Sequence, residues 1–209
     1  MLLVSLSHVS FGYGVDLILE DATLEITDGQ RVGIVGENGS GTSTLLRLIG
    51  GLESPSSGIV ARARNLTVGS LPQESDPLQS QSTVFETVAA GSPELVQVTT
   101  ELHRLQARVA DPNLAGDPRT AARLLQEYGN VQIRFEALGG YEFEYRVESV
   151  LAGLGFTPEQ AKQEVGTLSG GEKKFVSLAR LLVQTPDLLL LDEPDNHLDL
   201  NAKAWLESW

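Results

Sequence analysis

The sequence predicts an α/β fold, and two segments carry that prediction. A glycine-rich loop, Gly36–Gly41, follows a short apolar run and directly precedes a helix-forming stretch. Four consecutive leucines, Leu188–Leu191, are too few for a helix and lack the alternation of a half-exposed strand. They favour a central parallel strand that is buried on both faces. Helical and extended patterns alternate around these segments, as a parallel sheet requires.

Strand patterns dominate the first third of the chain. Short alternating or β-branched runs are separated by glycine and Asp-Gly turns. The predicted strands are Leu2–Leu6, Ala22–Ile26, Arg31–Val35, Gly58–Ala63 and Leu66–Leu71. A helix is expected over Ser43–Ile49, directly after the glycine loop.

Two amphipathic helices are predicted between Ser92 and Leu138, where apolar residues recur at steps of three and four. Turn-forming residues between Ala110 and Pro118 join them into an antiparallel hairpin. From the pattern alone, the apolar stripes fit packing against the main domain equally well. The stripe residues are Leu95, Val98, Leu102, Leu105 and Val109 in the first helix, and Leu124, Tyr128, Val131, Phe135 and Leu138 in the second.

In the last third of the chain, the sequence pattern predicts helices at about Arg146–Leu154 and Ser169–Gln184, followed by the leucine strand. Ser169 and Glu172 have the spacing of a capping box that begins the second helix. Two glycines in its first turn, Gly170 and Gly171, cost helix stability and allow a ligand to approach the backbone closely. A second anion site explains them better than capping alone.

Composition excludes several classes of protein. The 209 residues carry a formal net charge of −13 and contain no cysteine and three histidines, which argues against disulfides and zinc sites. No apolar run approaches the length of a membrane span, so we expect no membrane segment and a cytoplasmic protein. The negative charge argues against a protein that coats nucleic acid, although a local basic patch is compatible with it.

The glycine loop has the spacing of a phosphate-binding loop. In the pattern G-x-x-x-x-G-K-[ST], backbone N–H groups surround phosphate, the lysine reaches the β- and γ-phosphates, and the hydroxyl binds Mg²⁺. Here Ser43 supplies the hydroxyl, but Thr42 occupies the lysine position. A generic glycine turn is the alternative for this segment alone. The acidic pair Asp192-Glu193 after the leucine strand, suited to magnesium and an attacking water, favours a nucleotide site instead.

In their order, these segments resemble the motifs of ABC-type ATPase domains: a Walker A-like loop, the signature LSGGE, a Walker B strand LLLLDE, and Asn196-His197-Leu198-Asp199. The runs RFEALGGYEFEYRVESVLAGLGF and LSGGEKKFVSLARLLVQTPDLLLLDEPDNHLD resemble the ABC-F class, whose members act on ribosomes. The resemblance covers essentially residues 1–209. It implies a P-loop NTPase of ABC ATPase type, with a mixed sheet, an antiparallel β subdomain, a helical subdomain and an inserted helical-hairpin arm at 92–144.

The resemblance also implies ATP and Mg²⁺ as ligands and assigns roles to residues. Tyr13, or Phe11 as the alternative, would stack on adenine. The catalytic residues would be Glu193 and Gln73. Mg²⁺ would be held by Ser43, Gln73 and Asp192. Residues implied to bind the nucleotide are Gly36, Asn38, Gly39, Ser40, Gly41, Thr42, Ser43 and Thr44, with Ser169, Gly170, Gly171 and Glu172 facing a nucleotide held by a partner domain.

Two partners follow from the resemblance: a second ABC ATPase domain, in tandem or as a homodimer, and the ribosome, contacted through the arm. A basic patch near the predicted hairpin tip would meet RNA phosphates, and a solvated helix face is the alternative interpretation. The patch consists of Arg104, Arg108, Arg119 and Arg123.

Three departures weaken the expectation of a complete ATPase. Thr42 removes the loop's cation, so hydrolysis there should be impaired. Asp195 adds negative charge beside Glu193. After Asp199 the chain continues only to Trp209, so we expect the domain to be incomplete at its carboxyl end and to lack the switch histidine of the family. The alternatives are an ATPase subunit of a membrane transporter and a nucleotide-binding scaffold without hydrolysis.

Overall fold

The computed structural model describes residues 1–14, 16–37, 39–71, 81–110, 118–193 and 200–208. They form two compact units. The first unit comprises Met1–Asp76 and Thr185–His197, and the second comprises Pro77–Gln184 and Leu198–Trp209.

The first unit contains a three-stranded antiparallel sheet formed by β1 (Leu2–Tyr13), β2 (Asp16–Thr27) and β3 (Ser57–Arg62), in the order β2-β1-β3. Strand β1 supplies much of the apolar core of this unit. The buried residues of β1 are Leu3, Val4, Leu6, Val9 and Phe11.

The first two strands are longer than the alternation of apolar residues predicts. His8 and Asp21 have positive φ values of 51° and 50°, and the β1–β2 register shifts between Leu6 and Val9. These bulged residues interrupt the period of two, which conceals the second half of each strand in the sequence. A contact of 2.6 Å between His8 Nδ1 and Asp21 Oδ1 links the two bulges.

A second, two-stranded sheet pairs β4 (Val68–Ser70) with β5 (Leu188–Leu190). The pairing is parallel, which confirms that prediction for the leucine strand. Within the described residues, however, β5 has one neighbouring strand rather than two. The prediction that it lies at the centre of a sheet is therefore not confirmed. Thr67 N and Oγ1 donate to Asp187 Oδ2 at 2.9 and 2.6 Å and lower the pKa of that carboxyl.

The predicted strand Arg31–Val35 is absent, and this expectation was wrong. The segment is non-helical backbone without a ladder partner among the described residues, and the side chain of Val35 is 97 % exposed. Its composition favours a strand, but an extended segment becomes a strand only when a neighbour completes its hydrogen bonds.

The expected helix after the glycine loop is present as α1 (Thr42–Gly50). Its apolar side, which includes the fully buried Leu48 and Ile49, joins the core of β1.

The second unit is helical. Its α-helices are α2 (Val84–Ala89), α3 (Pro93–Val109), α4 (Pro118–Ala137), α5 (Gly140–Gly153), α6 (Pro158–Ala161), α7 (Gly170–Leu182) and α8 (Leu200–Ser208), with a 3₁₀ turn at Val165–Thr167. The helix predicted from Arg146 begins six residues earlier, because Gly139, with φ of 70°, is the break between α4 and α5.

The predicted antiparallel hairpin is confirmed as α3 and α4. Arg134 Nη2 near the end of α4 lies 2.7 Å from Glu94 Oε1 near the start of α3. Val109 is 40 % exposed, so the buried seam ends before it. The next helix begins at Gly140, so the arm boundary at 144 falls within α5. The buried seam residues are Leu95, Val98, Leu102, Leu105, Leu124 and Phe135.

A contact between α5 and α8 depends on a glycine. A β-carbon added at Gly153 would overlap the indole ring of Trp205, whereas one added at Gly129, inside α4, would meet no atom of the described chain within 4 Å. Both glycines lie in helices without a left-handed φ, so the difference between them is a difference in packing.

We therefore expect Gly153→Ala to lower the free energy of unfolding of the second unit by about 1–3 kcal/mol, because the rigid indole must move. The matched change Gly129→Ala should raise it by about 0.5–1 kcal/mol through helix propensity. Urea unfolding followed by circular dichroism measures both. Equal effects of the two substitutions would contradict the packing of α8 on α5.

Candidate functional site

The glycine loop is a tight turn closed by its own hydrogen bonds. Ser40 N donates to the carbonyl of Glu37 at 2.9 Å, and the hydroxyls of Ser40 and Thr42 lie 3.2 Å apart. A β-carbon at Gly36 would overlap the Ser40 hydroxyl. These contacts make the turn compact.

Gly41 ends the loop and begins α1. Its φ of 91° is left-handed, and a β-carbon there would lie 2.6 Å from Ile18 Cγ2 of β2. Both the backbone conformation and the approach to β2 thus require glycine at this position. The same residue fixes where the helix begins relative to the antiparallel sheet.

The amino terminus of α1 is suited to an anion. Gly41 is the N-cap and provides no side-chain acceptor, and the first turn contains no acidic residue. The first turn therefore presents Thr42, Ser43 and Thr44 N–H groups at the positive end of the helix dipole. Thr44 is buried at 9 % exposure, whereas Thr42 and Ser43 are half-buried.

These donors fit a phosphate chain, and two oxygen-bearing side chains fit magnesium. Backbone N–H groups at a helix start bind phosphate without needing a charged side chain. The Ser43 hydroxyl and the Asp192 carboxylate are hard oxygen ligands of the kind that Mg²⁺ takes beside substrate phosphates. Among the described residues no cluster of three or more His, Cys, Asp or Glu residues is placed to hold a metal by itself.

The acidic pair follows β5 as the sequence predicts. Asp192 is half-buried, whereas Glu193 is exposed and has a φ of 46°. A left-handed backbone at a glutamate costs conformational energy, and such strain is concentrated at functional positions. The turn immediately after β5 thus places the two carboxylates in different surroundings.

The signature segment LSGGE forms the predicted capping box at the start of α7. Ser169 Oγ accepts from Glu172 N at 3.3 Å and donates to Glu172 Oε2 at 2.6 Å, while Ser169 N donates to that oxygen at 2.8 Å. The hydrogen bonds from the Ser169 side chain and backbone lower the pKa of Glu172. Glu172 therefore acts as a cap of the helix.

The two glycines of this segment have no internal reason to be glycine. At Gly170 and Gly171 an added β-carbon would meet no described atom within 4 Å, and neither residue has a positive φ. Capping accounts for Ser169 and Glu172 but not for these two residues. Open space above them is consistent with the close approach of a group from outside the described chain.

Of the two aromatic candidates for base stacking, only Tyr13 is accessible. Phe11 is buried at 5 % exposure, whereas Tyr13 is 50 % exposed. The rings meet edge to face with their centroids 5.1 Å apart, so Phe11 supports the ring of Tyr13 from the side.

Two predicted site residues, Asn38 and Gln73, lie outside the described residues, as do Asp195 and the segment Asn196–Asp199. The structure also shows a residue that sequence reasoning missed. Arg62, at the end of β3, donates to two carbonyls of the last turn of α1. No local signal reveals this contact, because it joins residues 13 and 14 positions apart.

The arginines expected at the hairpin tip differ in their surroundings. Arg104 Nη2 lies 2.6 Å from Glu101 Oε1, and Arg123 Nε lies 3.9 Å from Glu127 Oε1. These two side chains are thus partly neutralised on their own helices.

Comparison with known proteins decides the family. The model of the ABC transporter family matches residues 19–196, which include the glycine loop, the signature and the acidic pair. The chain belongs to the ABC transporter family. Membership implies nucleotide binding, usually with Mg²⁺, and this chain is accordingly an ATP-binding cassette module. Domains of this family generally pair with another ATPase domain.

Relatives confirm the resemblance to the ABC-F class. The chain is 38 % identical over 207 residues to ABC transporter F family member 5 of Arabidopsis thaliana, covering 99 % of this chain and 30 % of that protein. It is 38 % identical over 190 residues to the energy-dependent translational throttle protein EttA of Haemophilus influenzae, covering 91 % and 33 %. The chain thus spans about a third of the length of these relatives.

A solved structure confirms the fold class. The structure of an ATP-binding subunit of an ABC transporter matches with a TM-score of 0.66 and 21 % identity, covering 99 % of this chain and 72 % of that one. Within the described part of this chain, no helix is long and apolar enough to cross a membrane.

Proposed function

We propose that this chain is the ATP-binding module of an ABC-F protein that acts on the ribosome, and that its own glycine loop binds nucleotide with inefficient hydrolysis. The α3–α4 hairpin is the observation that carries the ribosomal part. It lies in the chain between the glycine loop and the signature, where the resemblance calls for an inserted arm.

The packing of the hairpin supports its role as an arm. Apolar residues of α3 and α4 bury one another, and Gln106 Nε2 lies 3.4 Å from the Tyr128 hydroxyl across the pair. A helix pair that fills its own seam does not need the main body to cover it. One relative is named a translational throttle, which agrees with an arm directed at the translation machinery.

The nucleotide chemistry follows from the residues of the first unit. The N–H groups of the α1 first turn bind phosphate oxygens, and the exposed ring of Tyr13 stacks on the base. Bound Mg²⁺, held by Ser43 and Asp192, would neutralise phosphate charge. Glu193 is the carboxylate that accepts a hydrogen bond from the attacking water and orients it.

Thr42 is the reason for proposing slow hydrolysis. Its hydroxyl lies against that of Ser40 and carries no charge, so the loop lacks the cation that stabilises charge developing on the phosphates. Backbone N–H groups remain, so binding persists while turnover falls. In a protein with two such domains, Ser169–Glu172 would meet the nucleotide held by the other domain, and that second site need not share the defect.

A scaffold that binds nucleotide without hydrolysis is the second candidate, and the same Thr42 favours it. The two candidates differ in whether turnover appears when the missing charge is supplied.

We expect Thr42→Lys, made in the full-length protein, to raise the ATPase rate at least tenfold, because the ammonium restores a charge-assisted contact to phosphate. Steady-state phosphate release measures this rate. Thr42→Met is the matched control, since it adds length and removes the hydroxyl without adding charge, and it should leave the rate unchanged. An ATPase rate that is the same in the lysine variant as in the original protein would favour the scaffold.

For the arm, we expect Arg108→Gln to weaken ATP-dependent association with ribosomes and to reduce the salt slope of binding by roughly one, as loss of one phosphate contact does. Co-sedimentation of the full-length protein with ribosomes at several salt concentrations measures both quantities. Arg108 is chosen because Arg104 and Arg123 are already paired with acidic residues.

Arg134→Gln is the matched control. It removes the same charge at the other end of the hairpin, where Arg134 is bound to Glu94, and it should leave the slope unchanged. Absence of ribosome association in the unsubstituted protein would contradict the proposed role and favour the transporter subunit as the alternative.

A further inference from the structure

The carboxyl end of α1 is held by a side chain from the antiparallel sheet. Arg62 Nε donates to the carbonyl oxygen of Ile49 at 2.8 Å, and Arg62 Nη2 donates to that of Leu48. The last carbonyls of a helix have no intrahelical donor. The guanidinium therefore gives the Ile49 carbonyl a donor and adds a second donor to the Leu48 carbonyl, which also accepts from Gly51 N at 3.3 Å.

The surroundings explain why arginine suits this position. The side chains of Leu48 and Ile49 are fully buried, so carbonyls in this turn depend on protein donors. A planar guanidinium reaches two neighbouring carbonyls at once, and its charge faces the negative end of the helix dipole. Gly51, with φ of 80°, leaves room for it, since a β-carbon there would lie 3.2 Å from Arg62 Cζ.

The register of the sheet connects this contact to Tyr13. Arg62 lies opposite Val4 on β1, and β1 ends at Tyr13, whose exposed ring is the candidate for base stacking. The opposite end of α1 presents the N–H groups that suit phosphate. Arg62 thus hydrogen-bonds β3, the strand paired with β1, to the carboxyl end of the helix that carries the phosphate donors.

We propose that Arg62 is a positioning residue that sets the distance between the Tyr13 ring and the amino terminus of α1. The helix has nine residues and a length of about 13 Å, and it contacts the sheet at both ends, through Gly41 against Ile18 and through Arg62. Two contacts at this separation together fix the direction of the helix. The affinity for a nucleotide, which would contact both the Tyr13 ring and the amino terminus of α1, depends on this distance. The affinity for a bare phosphate chain, which would contact only the loop and the helix start, does not. The inference rests on the nucleotide-binding function proposed above.

The test compares two ligands, ATP and inorganic tripolyphosphate, by titration calorimetry on the full-length protein. We expect Arg62→Met to weaken ATP binding about tenfold and tripolyphosphate binding less than twofold. Arg62→Lys should fall between Met and Arg for ATP, because a single ammonium does not reproduce the two-pronged contact. If the methionine variant fails to fold, the difference between the lysine variant and the original protein in ATP affinity still tests the positioning role.

Arg47→Met is the control, since Arg47 lies in the same last turn of α1 and its exposed side chain carries the same charge. It should leave both affinities unchanged. The positioning role would be overturned if substitution of Arg62 lowered the affinities for ATP and tripolyphosphate equally, or if it left the ATP affinity unchanged. Failure of the unsubstituted protein to bind ATP would instead remove the nucleotide function, and this proposal with it.

Discussion

The left-handed backbone of Gly41 is the constraint on which the candidate nucleotide site depends. It turns the chain from the loop into α1 at a point where Ile18 of β2 leaves no room for a β-carbon. One residue thereby fixes the start of the helix, the direction of its first N–H groups and its approach to the sheet. A side chain at this position would disturb all three.

Function at this site divides between backbone and side-chain contributions. In the function that we propose, phosphate binding relies on the N–H groups and dipole of α1, which do not depend on the side chain at position 42. Acceleration of hydrolysis would need charge placed where it develops, and the Thr42 side chain carries none. The signature segment has the same division, since Ser169 and Glu172 satisfy each other as a cap while Gly170 and Gly171 leave the backbone open.

Local signals in the sequence predict much of this structure. The period of the seam residues predicts α3 and α4, and the Ser169–Glu172 spacing predicts the start of α7. Features that depend on distant partners are the ones that sequence patterns miss. Arg31–Val35 has the composition of a strand but no ladder partner in the described structure, Arg62 reaches carbonyls of another element, and Trp205 packs on Gly153. The extension of β1 to Tyr13 is hidden because the bulge at His8 breaks the alternation.

We propose that α1 binds nucleotide phosphate through its backbone despite Thr42. Residue-resolved amide hydrogen exchange on the full-length protein, with and without ATP and Mg²⁺, tests this binding most directly. We expect slower exchange at the N–H groups of Thr42, Ser43 and Thr44 with ATP, and no slowing with adenosine, which lacks phosphate. Unchanged exchange at these three N–H groups under saturating ATP would contradict it.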